Sequence, residues 1–489
     1  MLFNSHIFIL LFLPLLLTGW YFLNWKKKFQ LAQGYLIGMS LWFYAYANLQ
    51  YLWLLLFSCL IGWLLSCLPE KIFSEKGKKV LTGVGCVFHL GLLGYFKYSN
   101  FFLENLNTVF HTDFPMLQIL LPVGISFYTF QQLAYLIDRC RGDAPRDSFF
   151  DYLTFMVYFP QLLQGPILLR SEFMGQLKEP ERRRFHAERF SEGIQFFVFG
   201  LAKKVLLADT LAKAVNYGYS NVSMLDSISA LLLAVGYLTE LYFDFSGYCD
   251  MAVGLGKMIG LEVAENFDAP FHSASVKEFW RRWHMTLGRF FTRYVYIPLG
   301  GNRRGKMRTL CNVMIVMLLS GLWHGAAWTF VLWGFLHGVG MIWDNLEHPH
   351  LPKKWMRQAA TFAYVCMTFV FFRAESIAQG FDVLKSIVSL KWNGFVFQMA
   401  SALDMTECYM ITKALSMKLP GLLSWFWLGI FVVLIAICFR VLSGEKVSGV
   451  VALQRQKGYG RLYPVLLAVL FTWSMISMTG VSEYLYFSF

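Results

Sequence analysis

The chain has 489 residues, 57% of them hydrophobic and only 15% charged. A soluble domain carries about 25% charged residues, so composition excludes an ordinary soluble enzyme. The net charge of +13 does not point to nucleic acid, because Lys and Arg gather in short loops between apolar runs and form no soluble basic module.

Apolar runs of about 20 residues recur along the whole length, which predicts an all-α polytopic membrane protein with its backbone satisfied inside helices. The first run is 7–23. No positive charge precedes it and Lys26, Lys27 and Lys28 follow it, so it reads as an uncleaved helix with an external N-terminus. Further spans are expected near 31–47, 51–68, 80–98 and 117–137. This threading puts Lys71, Lys76, Lys78 and Lys79, then Arg139, Arg141 and Arg146, on the cytoplasmic side. Residues 152–169 lie between two basic loops on one side, so they are expected to dip in and return, with Pro160, Gly165 and Pro166 as breaks. Spans near 191–208 and 227–243 follow, then a weaker apolar stretch at 245–261.

The loop 277–308 holds nine Lys/Arg against Glu278 and is expected to be cytoplasmic. Residues 309–343 contain no Asp, Glu, Lys or Arg. They read either as two short limbs with a turn near 321–327, or as one pass plus a re-entrant piece. A span at 358–372 leads to an external stretch, 373–420, where Ile377, Phe381, Leu384 and Ile387 have the spacing of an amphipathic helix on the membrane surface. Spans at 421–439 and 462–479 place the aromatic terminus 484–489 outside. The total is about eleven passes. The nine scattered cysteines, with no C-x-x-C pair, suit membrane packing rather than disulfides or a metal site.

Three constellations stand out. His324 lies deep in the uncharged run. An ionisable group there is a functional candidate, and histidine suits proton transfer near neutral pH; the alternative is a structural ring donating to a carbonyl. Gly321 and Gly325 permit close approach, and Trp323 and Trp328 can wall a dry pocket. The second is the stretch 278–284, with Trp280, Arg281, Arg282 and His284. As a helix it places Trp280 and His284 on one face. It is either an interfacial helix or a basic mouth for the phosphates of an anionic donor. The third is Asp244 and Asp250, with Glu240 one turn earlier, a structural polar core with Arg282 and Lys204 as possible counter-ions. Walker, Rossmann, zincin and nucleophile-elbow motifs are absent.

The order and spacing of Trp280-Arg281-Arg282-Trp283-His284, Pro298-Leu299-Gly300-Gly301-Asn302-Arg303 and Leu322-Trp323-His324-Gly325 resemble the membrane-bound O-acyltransferase family. Asp244-Phe245-Ser246-Gly247-Tyr248, Glu265-Asn266-Phe267, Phe372-Arg373-Ala374-Glu375-Ser376 and the terminal Tyr486-Phe487-Ser488-Phe489 narrow this to its bacterial alginate O-acetyltransferase-like branch. The resemblance implies a single domain over 1–489: N-terminal helices in 1–118, a core in 119–376 and an external segment with the last helices in 377–489. It implies a ring of helices around a thinned centre with a catalytic tunnel, in the bacterial cytoplasmic membrane; the charge threading puts both termini outside. It implies His324 as the catalytic base and His284 as its second histidine. Trp280, Arg281, Arg282, Trp323, Asn302 and Arg303 would then hold the donor. No tightly bound cofactor is implied; acetyl-CoA, or the thioester of an acyl carrier protein, is the donor substrate. An extracytoplasmic acyltransferase acting on a polysaccharide is the implied partner. The rivals are D-alanyl transfer to a teichoic-acid-like polymer, a transporter, and a non-enzymatic scaffold subunit.

Overall fold

The structure is a computed structural model and describes residues 1–67, 75–346, 352–442, 446–458, 460, 462–478 and 484–485. The terminal motif 486–489 and Lys71 lie outside the described residues. Every regular element among the described residues is helical, as a backbone in hydrocarbon requires. Six helices are long and apolar enough to cross a membrane, and Leu462–Ser477 is a shorter apolar helix. The other expected passes are shorter, broken or more polar.

The chain divides into two compact units. The first comprises Met1–Val198, Tyr248–Asn266 and Thr286–Pro298. Its early spans fall close to expectation, with helices at Leu13–Trp25, Phe29–Asn48, Leu52–Cys67 and Glu75–Leu93. The span expected at 117–137 instead begins at Ile125 and runs to Arg141. Pro115 and Pro122 remove backbone donors ahead of it, and Gly124 at φ +79° admits a close approach to the Leu162 carbonyl. The segment 152–169 is broken as expected. One helix ends at Val157, a four-residue helical turn follows at Phe159–Leu162, and the rest is a turn and irregular chain. A Cβ on Gly165 would sit 2.1 Å from the Pro160 carbonyl oxygen, so only glycine lets the chain fold back there. Ion pairs tie the unit together: the largely buried pair of Arg170 with Asp147, and Arg293 with Asp138 at 3.0 Å, where the arginine is half-buried.

The second unit comprises Phe199–Gly247, Phe267–Met285 and Leu299–Phe489 and carries the candidate site. The stretches 227–243 and 245–261 are not separate: one helix runs Ser227–Ile259, about 50 Å at 1.5 Å per residue. Asp244 does not interrupt it, because Lys204 neutralises the carboxylate at 2.7 Å. Gly247 lets the helix approach the Gly200 carbonyl. Residues 309–343 form two limbs, Lys306–His324 and Trp328–Asn345, the first of the two sequence alternatives. The expected amphipathic helix exists at Ile377–Val388, capped by Ser376, and the protein side of it is the face of Gly380 and Val383. Gly380 closes onto Phe371, so Gly380 and Val383 are buried and Phe381 is 56% exposed.

Candidate active site

His324 is the last residue of its helix. The chain leaves at Gly325 and starts the next helix at Trp328. The two limbs meet backbone to backbone. A Cβ on Gly321 would lie 2.3 Å from the Phe330 carbonyl oxygen, and one on Gly334 2.5 Å from that of Met317. This approach seats Trp333 against His324, with ring centroids 5.1 Å apart and planes at 89°. Phe372, from the Lys354–Arg373 helix, packs on the same imidazole at 5.2 Å, and Trp323 at 4.9 Å. The result is an aromatic box in which His324 is 2% exposed. Trp323 is thus a wall of this box.

His284 reaches the same box by a route the helical spacing did not anticipate. The helix Val276–Arg282 stops, Trp283 is extended, and His284 takes φ +45° before Met285 opens the next helix. Trp280 and His284 therefore do not share a helix face. The left-handed residue is costly for a side chain of this size. It turns the imidazole inward, fully buried against Phe245 at 4.7 Å and 6.4 Å from His324, centroid to centroid.

Trp280 also departs from expectation. Its indole N–H donates to Nδ1 of His337 at 3.2 Å, and Nε2 of His337 lies 3.0 Å from the Thr368 hydroxyl. With Nδ1 accepting, the ring proton sits on Nε2 and is donated to Thr368. The Thr368 hydroxyl in turn donates a hydrogen bond to the Val365 carbonyl at 2.8 Å. His337 also contacts Trp333 at 4.8 Å. Sequence reasoning missed His337, although a second titratable ring in the same uncharged run was a visible signal.

The basic residues separate. Arg282 pairs with Glu278 at 2.8 Å and reaches the Asp268 carbonyl at 3.4 Å. It is committed locally and is not a counter-ion of Asp244. Burial opposes ionisation of Glu278, but the Ala274 N–H and the Arg282 guanidinium prevail and hold it below its usual range. Arg281, Asn302 and Arg303 are exposed. The loop carrying the last two turns through Gly300 (φ +106°) and Gly301 (φ +56°). It is pinned by Asn312, whose side-chain amide donates to the Gly301 carbonyl at 3.0 Å.

Asp244 is buried in an ion cluster. Lys204 bridges it to Asp209 at 2.8 Å, and the Leu485 N–H donates to its other oxygen at 3.1 Å. Asp250 is half-buried farther along the same helix. Arg373, next to Phe372, donates to Asn216 at 3.0 Å and lies over Tyr219.

The sequence that builds this site is similar to known proteins. Residues 141–380 match the membrane-bound O-acyltransferase family, MBOAT. A peptidoglycan O-acetyltransferase of Helicobacter pylori is 36% identical over 80% of each chain. A protein of Azotobacter vinelandii described as a probable alginate O-acetylase is 39% identical over 77% of this chain and 76% of its own. The chain belongs to the membrane-bound O-acyltransferase family. A teichoic acid D-alanyltransferase of Streptococcus thermophilus is more distant, 28% identical over 49% of this chain and 58% of its own. The membrane-bound O-acyltransferase described here is therefore a multi-pass membrane enzyme. Its two motif histidines, 40 positions apart in sequence, lie side by side in one buried aromatic box.

Proposed function

We propose that this O-acyltransferase takes an acetyl group from a cytoplasmic thioester, acetyl-CoA, and moves it across the membrane for O-acetylation of an extracytoplasmic polysaccharide. The single observation that carries the reading is the pairing of His284 and His324 inside the aromatic box. Similarity to O-acetyltransferases of peptidoglycan and alginate over about four fifths of the chain supports the acetyl group and the polymer class.

In the proposed step, neutral His324 removes the proton of an acceptor hydroxyl as its oxygen attacks the thioester carbonyl. The tetrahedral intermediate collapses, the carbon–sulfur bond breaks, and the leaving thiolate takes the proton back. His284 lines the box opposite His324 and orients the reacting groups. Arg281 and Arg303, on the exposed basic segments, attract the anionic donor. A separate extracytoplasmic acyltransferase completes delivery.

The test is acyl transfer by purified His324→Ala and His284→Ala proteins that insert and fold normally. Loss of the base is expected to slow transfer by about 10²–10⁴-fold. An unchanged rate for His324→Ala removes His324 from the chemistry and returns the scaffold reading. Supplying D-alanyl carrier protein in place of acetyl-CoA separates the teichoic-acid alternative.

A further inference from the structure

Trp333 is completely buried, and its indole N–H has no hydrogen-bond partner among the described residues. A buried donor left unpaired carries its full desolvation penalty, so such groups in native folds call for an explanation. The surroundings narrow it. The rings against Trp333 are His324 at 5.1 Å, Phe372 at 5.0 Å, Phe369 at 5.5 Å, Trp280 at 5.7 Å and His337 at 4.8 Å. The phenylalanines offer no acceptor, and an indole accepts nothing. Both nitrogens of His337 are occupied, one by Trp280 and one by Thr368. A second observation points the same way. The Ser320 hydroxyl, one helical turn before His324, is also buried and without a partner among the described residues.

We infer that the Trp333 indole N–H is a catalytic donor, kept unpaired by the fold to receive the oxyanion that forms when an acyl thioester is attacked beside His324. The assignment rests on the O-acyltransfer reading above. As the acceptor oxygen bonds to the carbonyl carbon, the carbonyl π electrons move onto oxygen and the acceptor proton moves to His324. The negative oxygen then accepts from Trp333 Nε1. When the carbonyl re-forms, the thiolate leaves and His324 returns the proton to sulfur. A donor already in place and already stripped of water needs no reorganisation at that moment, which is what makes such contacts effective.

The expected signature joins rate and stability. In Trp333→Phe the ring packing is largely kept and the N–H is lost. Transfer from acetyl-CoA should fall about 10²–10³-fold in kcat, the usual effect of removing one oxyanion donor, with KM changed less than about twofold. The melting temperature should not drop as far as a lost structural hydrogen bond would require, because no bond within the fold is broken. Replacement of Trp333 by 3-benzothienylalanine, which has the indole shape with sulfur in place of N–H, repeats the test if the phenylalanine variant packs poorly. A benzothienyl enzyme with wild-type kcat overturns the assignment while leaving His324 in place. A large loss of stability with unchanged kcat per folded molecule overturns it as well. A wild-type protein that consumes no thioester, and is indifferent to His324→Ala, overturns the function reading and this inference together.

Discussion

His324, His284 and Lys204 show how one side chain's surroundings decide its role. His324 sits among Trp323, Trp333 and Phe372 with His284 facing it, an apolar aromatic setting for a polar ring. His337 is equally buried but doubly hydrogen-bonded, which suits holding the Trp280 and Trp333 segments together. Lys204, with 2% side-chain exposure, is bracketed by Asp209 and Asp244. Removing it strands two carboxylates, and breaking a buried pair from one side costs about 3–5 kcal/mol. Lys204→Met should therefore lower the melting temperature in detergent sharply, and Asp244→Asn should lower it less because Asp209 remains. Neither should change kcat per folded molecule; a selective loss of kcat would make the cluster catalytic. The spacing of Trp280 and His284 led to a helical face that does not exist. A left-handed residue at His284 is a tertiary outcome, with no glycine or asparagine to announce it.

Among the elements, the hairpin of Lys306–His324 and Trp328–Asn345 was largely legible. An uncharged run of 35 residues between two basic segments can be satisfied by a return, and the small residues at 325–327 mark it. The contact that makes it work was not legible, because Gly321 and Gly334 are distant in sequence and act as a pair. Alanine at either position puts a methyl against a carbonyl and forces the limbs apart, costing about 1–3 kcal/mol. Gly334→Ala is expected to lower both the melting temperature and acyl transfer, since the same contact seats Trp333 on His324. Gly83→Ala is the control. Nothing lies within 4 Å of a Cβ there, and the change should be neutral or slightly stabilising, as a helical glycine replaced by alanine usually is. Equal behaviour of the two variants would refute the packing argument. The Ser227–Ile259 helix was divided in the sequence reading for the opposite reason: a charge inside an apolar run resembles an end until its partner is known.

For the whole molecule, Lys306 and Arg308 occupy the first turn of the helix that His324 ends. Sixteen residues separate Arg308 from His324, about 24 Å along the axis. Asn312 shortens this reach by holding the Gly300–Gly301 turn against the helix; from there the distance to His324 is about 18 Å. The proposed role of the basic loop in attracting the donor requires that it face the cytoplasm, which the distribution of Lys and Arg predicts. A single cysteine at Arg303 should react with a membrane-impermeant maleimide only in inverted vesicles. One at Leu390, which is 91% exposed, should react in intact spheroplasts. The reverse pattern would invert the proposed topology. By itself the sequence determined the helical membrane class, the family resemblance and the prominence of His324. Those depend on hydrophobicity, charge distribution and motif order, which are properties of the chain in one dimension. Only the tertiary structure decided that His284 turns inward, that Arg282 is spent on Glu278, and that Trp333 closes the box, because each depends on which distant groups meet once the helices pack.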